Sequence, residues 1–234
     1  MTQIKTHPGP RIALIHALEE SVVPIRASFR ELWPEAFTFD LLDTSLAIDR
    51  AHAGVLDGSM MRRFTTLADY AAGTEGLGGQ TRGILFTCSA FGPAIDAVKA
   101  RMRIPVLRPN ESAFEQALAI GNEIGLIVSF LPSEASLRIE LEQMARAANR
   151  SVRVRTVLAE GALDALKAND GPRHDALVAE AARSLGDVEV VVLGQFSMAR
   201  AAAKVRQRVS APVLTTPDCA VQALRALITT SPAA

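Results

Sequence analysis

Short apolar runs rich in β-branched residues alternate along the chain with longer stretches whose apolar positions recur every three or four residues. "RIALIHA" from Arg11, "FTFDLLD" from Phe37, "GILFTC" from Gly83 and "IPVLRP" from Ile104 read as strands. The helical stretches between them predict βαβ units and a parallel sheet. Between the second and third runs, Met61, Phe64, Leu67 and Ala71 mark one face of an amphipathic helix, which "GTEGLGGQTRG" closes with glycine punctuation.

The alternation then begins again. "EIGLIVSF" from Glu123, "SVRVRTVLAEG" from Ser151, "VEVVVLGQF" from Val188 and "APVLTTP" from Ala211 follow the order of the first four runs, so the predicted strands divide equally. Residues 84–110 lie on 191–217 at a constant shift of 107 without a gap, which brings Ala94 onto Ala201, Val98 onto Val205 and one "PVL" onto the other. This predicts an internal duplication in which Gln195 is the pseudo-symmetry mate of Cys88. The expected fold class is α/β, with two similar lobes, each a parallel sheet of about four strands flanked by helices.

Composition narrows the function classes. The chain of 234 residues suffices for one large domain or for two halves of about 110 residues each. Its 25 basic residues balance 25 acidic ones, and aromatics make up 5%. That argues against a nucleic-acid stripe or a disordered tail and favours small, near-neutral ligands or carboxylates as partners. "MTQIKTHPGP" has no apolar stretch of signal-peptide length, and no later run approaches a membrane span, so a cytoplasmic protein without membrane attachment is expected. Cys88 and Cys219, 131 positions apart, fit neither a zinc site nor a disulfide framework and read as reduced thiols.

Cys88 ends a predicted parallel strand and is followed directly by a helix, the address at which open α/β sheets bind ligands. A helix N-terminus favours anions and thiolates, so its pKa is expected below the free value of about 8.5. Thr87 and Ser89 around it can donate hydrogen bonds to a carboxylate, as can Gln195, the Phe196 N–H and Ser197 in the other half. His16, at the end of the first strand, could orient a carboxylate or act as an acid, although a structural role is equally open. Its counterpart is Ser129 or Phe130. Asp43, Thr44, Asn110 and Glu111 occupy ligand-edge turns, where turn formation or capping is the simpler reading. Cys219 follows Gln195 by 24 positions, as Ser112 follows Cys88. It reads as a packing residue, with a substitute thiol as the alternative. His7, His52 and His174 have no partners at metal-ligand spacing, and no metal site is expected. "GTEGLGGQTRG" precedes a strand and lacks the phosphate-loop Lys-Ser/Thr, and no Gly-x-Ser-x-Gly elbow occurs. Nucleotide binding and serine hydrolysis are therefore disfavoured.

The paired halves, the turn "FTCSAFG" and the corresponding "VVLGQFSMA" resemble the aspartate/glutamate/hydantoin racemase superfamily, which includes maleate isomerase and arylmalonate decarboxylase. The likeness runs from "RIALIHA" to the last helix. It implies a cleft between two lobes, residues 8–115 with 212–234 and residues 116–211, in which one thiol from each lobe faces opposite sides of an α-carbon without metal or cofactor. The first thiol maps onto Cys88, whereas the second maps onto Gln195. Glutamine exchanges no proton at neutral pH, so the two-thiol scheme is unavailable to this chain. The resemblance thus implies a cofactor-independent isomerase or racemase-like enzyme of amino-acid metabolism, acting at the α-carbon of a small carboxylate through one thiol. Decarboxylation of a malonate-like acid by the same thiol and an inactive carboxylate-binding derivative are the alternatives. A homodimer is the common assembly of similar proteins.

Overall fold

In the computed structural model, residues 9–230 are described; the expectations for His7 and for the outermost residues of the first lobe fall outside them. The first four apolar runs become β1 (Arg11–His16), β2 (Phe37–Leu42), β4 (Gly79–Phe86) and β5 (Val106–Leu107), parallel in the order β2-β1-β4-β5. The second set becomes β6 (Glu123–Val128), β7 (Arg153–Leu158), β8 (Val190–Leu193) and β9 (Val213–Thr215), parallel in the order β7-β6-β8-β9. Both sheets place the first strand of the set second and the third strand beside it. Ile84 pairs with Val106 and Leu85 with Leu107, while Val191 pairs with Val213 and Val192 with Leu214, so the register repeats at the shift of 107.

Helices cover the sheets. The first set carries α1 (Val22–Leu32), α2 (Ser45–Ala53), α3 (Gly58–Ala72) and α4 (Gly92–Arg101); the second carries α5 (Glu111–Ile120), α6 (Leu131–Ala147), α7 (Ala162–Lys167), α8 (Gly171–Ala182) and α9 (Ala202–Arg206). The long α10 (Thr216–Thr230) follows β9. Central strands are buried on both faces, as parallel sheets require: Ile12, Ala13 and Leu14 in β1, and all of Val190–Leu193 in β8, are inaccessible. Among the described residues, no helix is long and apolar enough to cross a membrane.

Three expectations need correction. The α3 stripe that enters the core is Met60, Phe64, Ala68 and Ala71; Met61 and Leu67 flank it, half-buried, because the helix is rotated from the predicted face. "GTEGLGGQTRG" is more than a stop signal. It forms a hairpin in which β3 (Glu75–Gly76) pairs antiparallel with the start of β4, so nine strands are described where eight were expected. Gly78 turns it at φ +84°, with the backbone of Arg11 and Gly9 within 3.1 Å of where a Cβ would sit, which leaves room for glycine alone.

The third correction concerns the boundary. The chain divides into two compact units: one comprises the chain up to Pro109 and from Val221 onward, the other Asn110–Ala220. The crossing expected near 115 moves to Asn110, whose Nδ2 donates to the Gly194 carbonyl at 2.8 Å and so joins the end of β8. The return expected near 212 moves to Val221, because "APVLTTP" supplies β9 to the second sheet. Only the later part of α10 belongs to the first unit. There Leu224 and Ile228 lie over Gly83 of β4, with methyl carbons 3.0 and 2.8 Å from the position of an added Cβ.

Candidate active site

In the first unit, β4 ends at Phe86 and delivers Thr87 and Cys88 to the carboxyl edge of the sheet. Cys88 is extended (φ −123°, ψ 119°), half-buried, and followed by a 3₁₀ turn, Ser89–Phe91, before α4 begins at Gly92. That turn separates the thiol from the helix, beyond the reach of a dipole that acts within the first turn. Burial therefore dominates. It pushes the Cys88 thiol up from its ordinary value, and the backbone N–H of Ala90 opposes it only in part. The lowered thiol pKa expected from the sequence is thus reversed: the group is held neutral. Ser89 beside it is half-buried.

Thr87 and His16 are bonded to one another inside the first unit. Thr87 is 6% exposed, and its hydroxyl lies 2.9 Å from His16 Nδ1. His16 is wholly buried because its strand is flanked by β2 and β4. Its Nε2 is 3.0 Å from Asp40 Oδ1, so both ring nitrogens are engaged inside the protein. Burial alone would raise the Asp40 carboxyl, but hydrogen bonds from His16 and Arg26 outweigh it and hold the group below the ordinary carboxylate range. Sequence reasoning passed over Asp40, although an acidic residue inside the apolar run "FTFDLL" was a usable signal.

In the second unit, Gln195 stands at the end of β8 as Cys88 stands at the end of β4. Its side-chain oxygen accepts from the Ser129 N–H at 2.9 Å and lies 3.4 Å from the Ser129 hydroxyl; its Nε2 donates to Ser133 Oγ at 2.7 Å. The Ser133 hydroxyl donates in turn to the Phe130 carbonyl at 2.7 Å. Gln195 and Ser129 thereby bind one another, tying the end of β8 to the start of α6. Asn110 is buried and tied to Gly194, and Phe196 is buried. Ser197 stays half-buried. Cys219 lies in the core of the second unit, with its S–H donating to Gln116 Oε1 at 3.4 Å. Its thiol is pushed up to about 12 by burial and by the neighbouring Asp218 carboxylate. The packing reading of Cys219 fits this environment.

With two duplicated parallel sheets and a thiol at one strand end in place, the comparison with known proteins is decisive for the family. The profile of the family described as Asp/Glu/Hydantoin racemase matches residues 42–224. The chain belongs to this family. No curated protein sequence matches it. Among solved structures, the Asp/Glu/hydantoin racemase chain is similar to Picrophilus torridus aspartate racemase, with a TM-score of 0.68 and 12% identity over 92% of this chain and 93% of that one. Allantoin racemase from Pseudomonas fluorescens gives a TM-score of 0.65 and 15% identity over 94% and 91%. Glutamate racemase from Francisella tularensis, solved in complex with D-glutamate, gives 0.67 and 12% over 95% and 82%. At such identities the structures establish the fold. The family establishes an enzyme with racemase or isomerase-type function.

Proposed function

We propose that the chain is a cofactor-independent enzyme that moves a proton at the α-carbon of a small carboxylate, with Cys88 as the working thiol. The observation that carries the proposal is the half-buried thiol at the end of β4, within a family of racemases. The bound D-glutamate of the Francisella tularensis glutamate racemase supports a small carboxylate as substrate. Ser89, half-buried beside Cys88, is suited to donate to its carboxylate. In this reading Gln195 holds the place of the second thiol, and its amide is bonded at both ends to Ser129 and Ser133. It neither gives nor takes a proton.

A neutral thiol favours one direction of transfer. That direction is protonation: in the isomerising reading the Cys88 thiolate first takes the α-proton, whose C–H electrons stay on the α-carbon, and the S–H so formed then delivers a proton, exchanged with solvent, back to that carbon. The raised thiol pKa and the bonded Gln195 give weight to a second reading, in which the carbanion arises by loss of CO₂ from a malonate-like acid and Cys88 protonates one face. In that sequence the electrons of the broken carbon–carbon bond remain on the α-carbon until the S–H proton reaches them.

Solvent deuterium separates the readings. Incubation in D₂O with amino acids, hydantoins and aryl malonates is expected to place deuterium at the α-carbon, followed by mass spectrometry. Wash-in without CO₂ supports isomerisation, and incorporation only with CO₂ release supports decarboxylation. Cys88→Ala is expected to abolish either signal, with a loss of about a hundredfold or more; full turnover in that variant would remove Cys88 from the mechanism.

A further inference from the structure

Four elements of the first unit converge on the residue that precedes the thiol. Arg26 of α1 donates to Asp40 Oδ2 through Nη2 at 2.6 Å and Nε at 3.0 Å. Asp40 of β2, an acceptor only in its ionised form, takes the Nε2–H of His16 at the end of β1. That fixes the ring and leaves Nδ1 to two hydroxyls, Ser21 Oγ at 3.0 Å and Thr87 Oγ1 at 2.9 Å. Ser21 directs its proton to the Leu18 carbonyl at 2.7 Å, and the Thr87 hydroxyl lies 2.9 Å from both His16 Nδ1 and Ser21 Oγ and 3.3 Å from the Ile15 carbonyl. The Thr87 N–H is meanwhile bonded to the Ile15 carbonyl at 3.0 Å.

Sheet stability alone does not call for this chain. Burying a histidine and a carboxylate costs solvation that an aliphatic pair would not. The second unit makes the comparison directly: β6 has the same length as β1 and ends in Val128, fully buried and aliphatic. The buried polar chain accompanies the strand end that carries the thiol. We infer that Arg26, Asp40, His16 and Thr87 are positioning residues for Cys88, clamping both the backbone and side chain of Thr87 so that the thiol projects from a fixed point.

The inference rests on Cys88 being the working thiol, so its test uses a readout that needs no turnover. Alkylation by iodoacetamide, followed residue by residue by mass spectrometry across pH, reports Cys88 and uses buried Cys219 as an internal reference. Thr87→Val keeps the shape and removes the hydroxyl; Asp40→Asn keeps the shape and removes the charge. Both are expected to raise the Cys88 rate at neutral pH by at least about fivefold and to move its pH midpoint toward that of a free thiol. Thr87→Ser is expected to restore wild-type behaviour within about twofold, since it returns the hydroxyl. A Thr87→Val protein with the wild-type Cys88 rate and midpoint, or with Cys219 accelerated in parallel, overturns the inference. If alkylation responds while no substrate exchanges deuterium, the proposed function fails and the clamp stands; if exchange depends on Cys88 and Thr87→Val leaves alkylation unmoved, the clamp fails alone.

Discussion

Burial raises the pKa of the Cys88 thiol, and the same physics makes the second thiol of the chain a reporter on stability. Cys219 is pushed up to about 12, well above the value of about 8.5 for a free thiol. The folded state therefore keeps its proton to higher pH than the unfolded chain does. The contribution is fully present below about pH 8.5 and is lost as pH rises toward the folded value, by up to about 1.4 kcal/mol per pH unit. Urea unfolding of wild type and Cys219→Ala from about pH 8 to 10 is expected to show a steeper decline in the wild type; parallel slopes would contradict it. Of these residues, the address of Cys88 was legible in its strand-then-helix context, whereas its environment was not. A 3₁₀ turn between thiol and helix leaves no mark in periodicity. The partners of Gln195 lie 66 and 62 residues away in sequence, joined by the pairing of β6 with β8.

At the scale of elements, close packing against a strand glycine supplies the sharpest test. Gly83→Ala places a methyl group against Ile228 and Leu224 of α10. These are the flexible ends of two side chains, so the cost is expected at the lower end of the overpacking range, about 1–2 kcal/mol, measured by urea unfolding. An unchanged midpoint would mean that α10 yields freely. The duplicated order of strands was readable because β-branched runs repeat at a fixed spacing, and the register of β5 on β4 recurs in β9 on β8. The β3 hairpin was not readable: two residues, Glu75 and Gly76, carry no hydrophobic alternation. The rotation of α3 escaped for a related reason, since Met60 and Met61 are chemically equal and only packing chooses between them.

At the scale of the whole molecule, one unit is continuous in sequence and the other is not. Asn110–Ala220 contains everything its sheet pairs with, whereas the unit bearing Cys88 needs residues from Val221 onward. Ending the chain after Ala220 is therefore expected to strip hydrogen-exchange protection from β1 and β4 while β6 and β8 keep theirs; uniform protection would show that α10 is dispensable to the first sheet. During synthesis this arrangement inverts the usual sequence of events. At about 5–20 residues per second, the 111 residues between Pro109 and Val221 occupy the ribosome for roughly ten seconds. Through that interval the strand carrying Gly83 lacks its covering helix, and by its end the later segment has gained β9, the last strand its sheet pairs with. The half that begins first is completed second, and a nascent chain owns Gln195 in its finished setting before it owns Cys88.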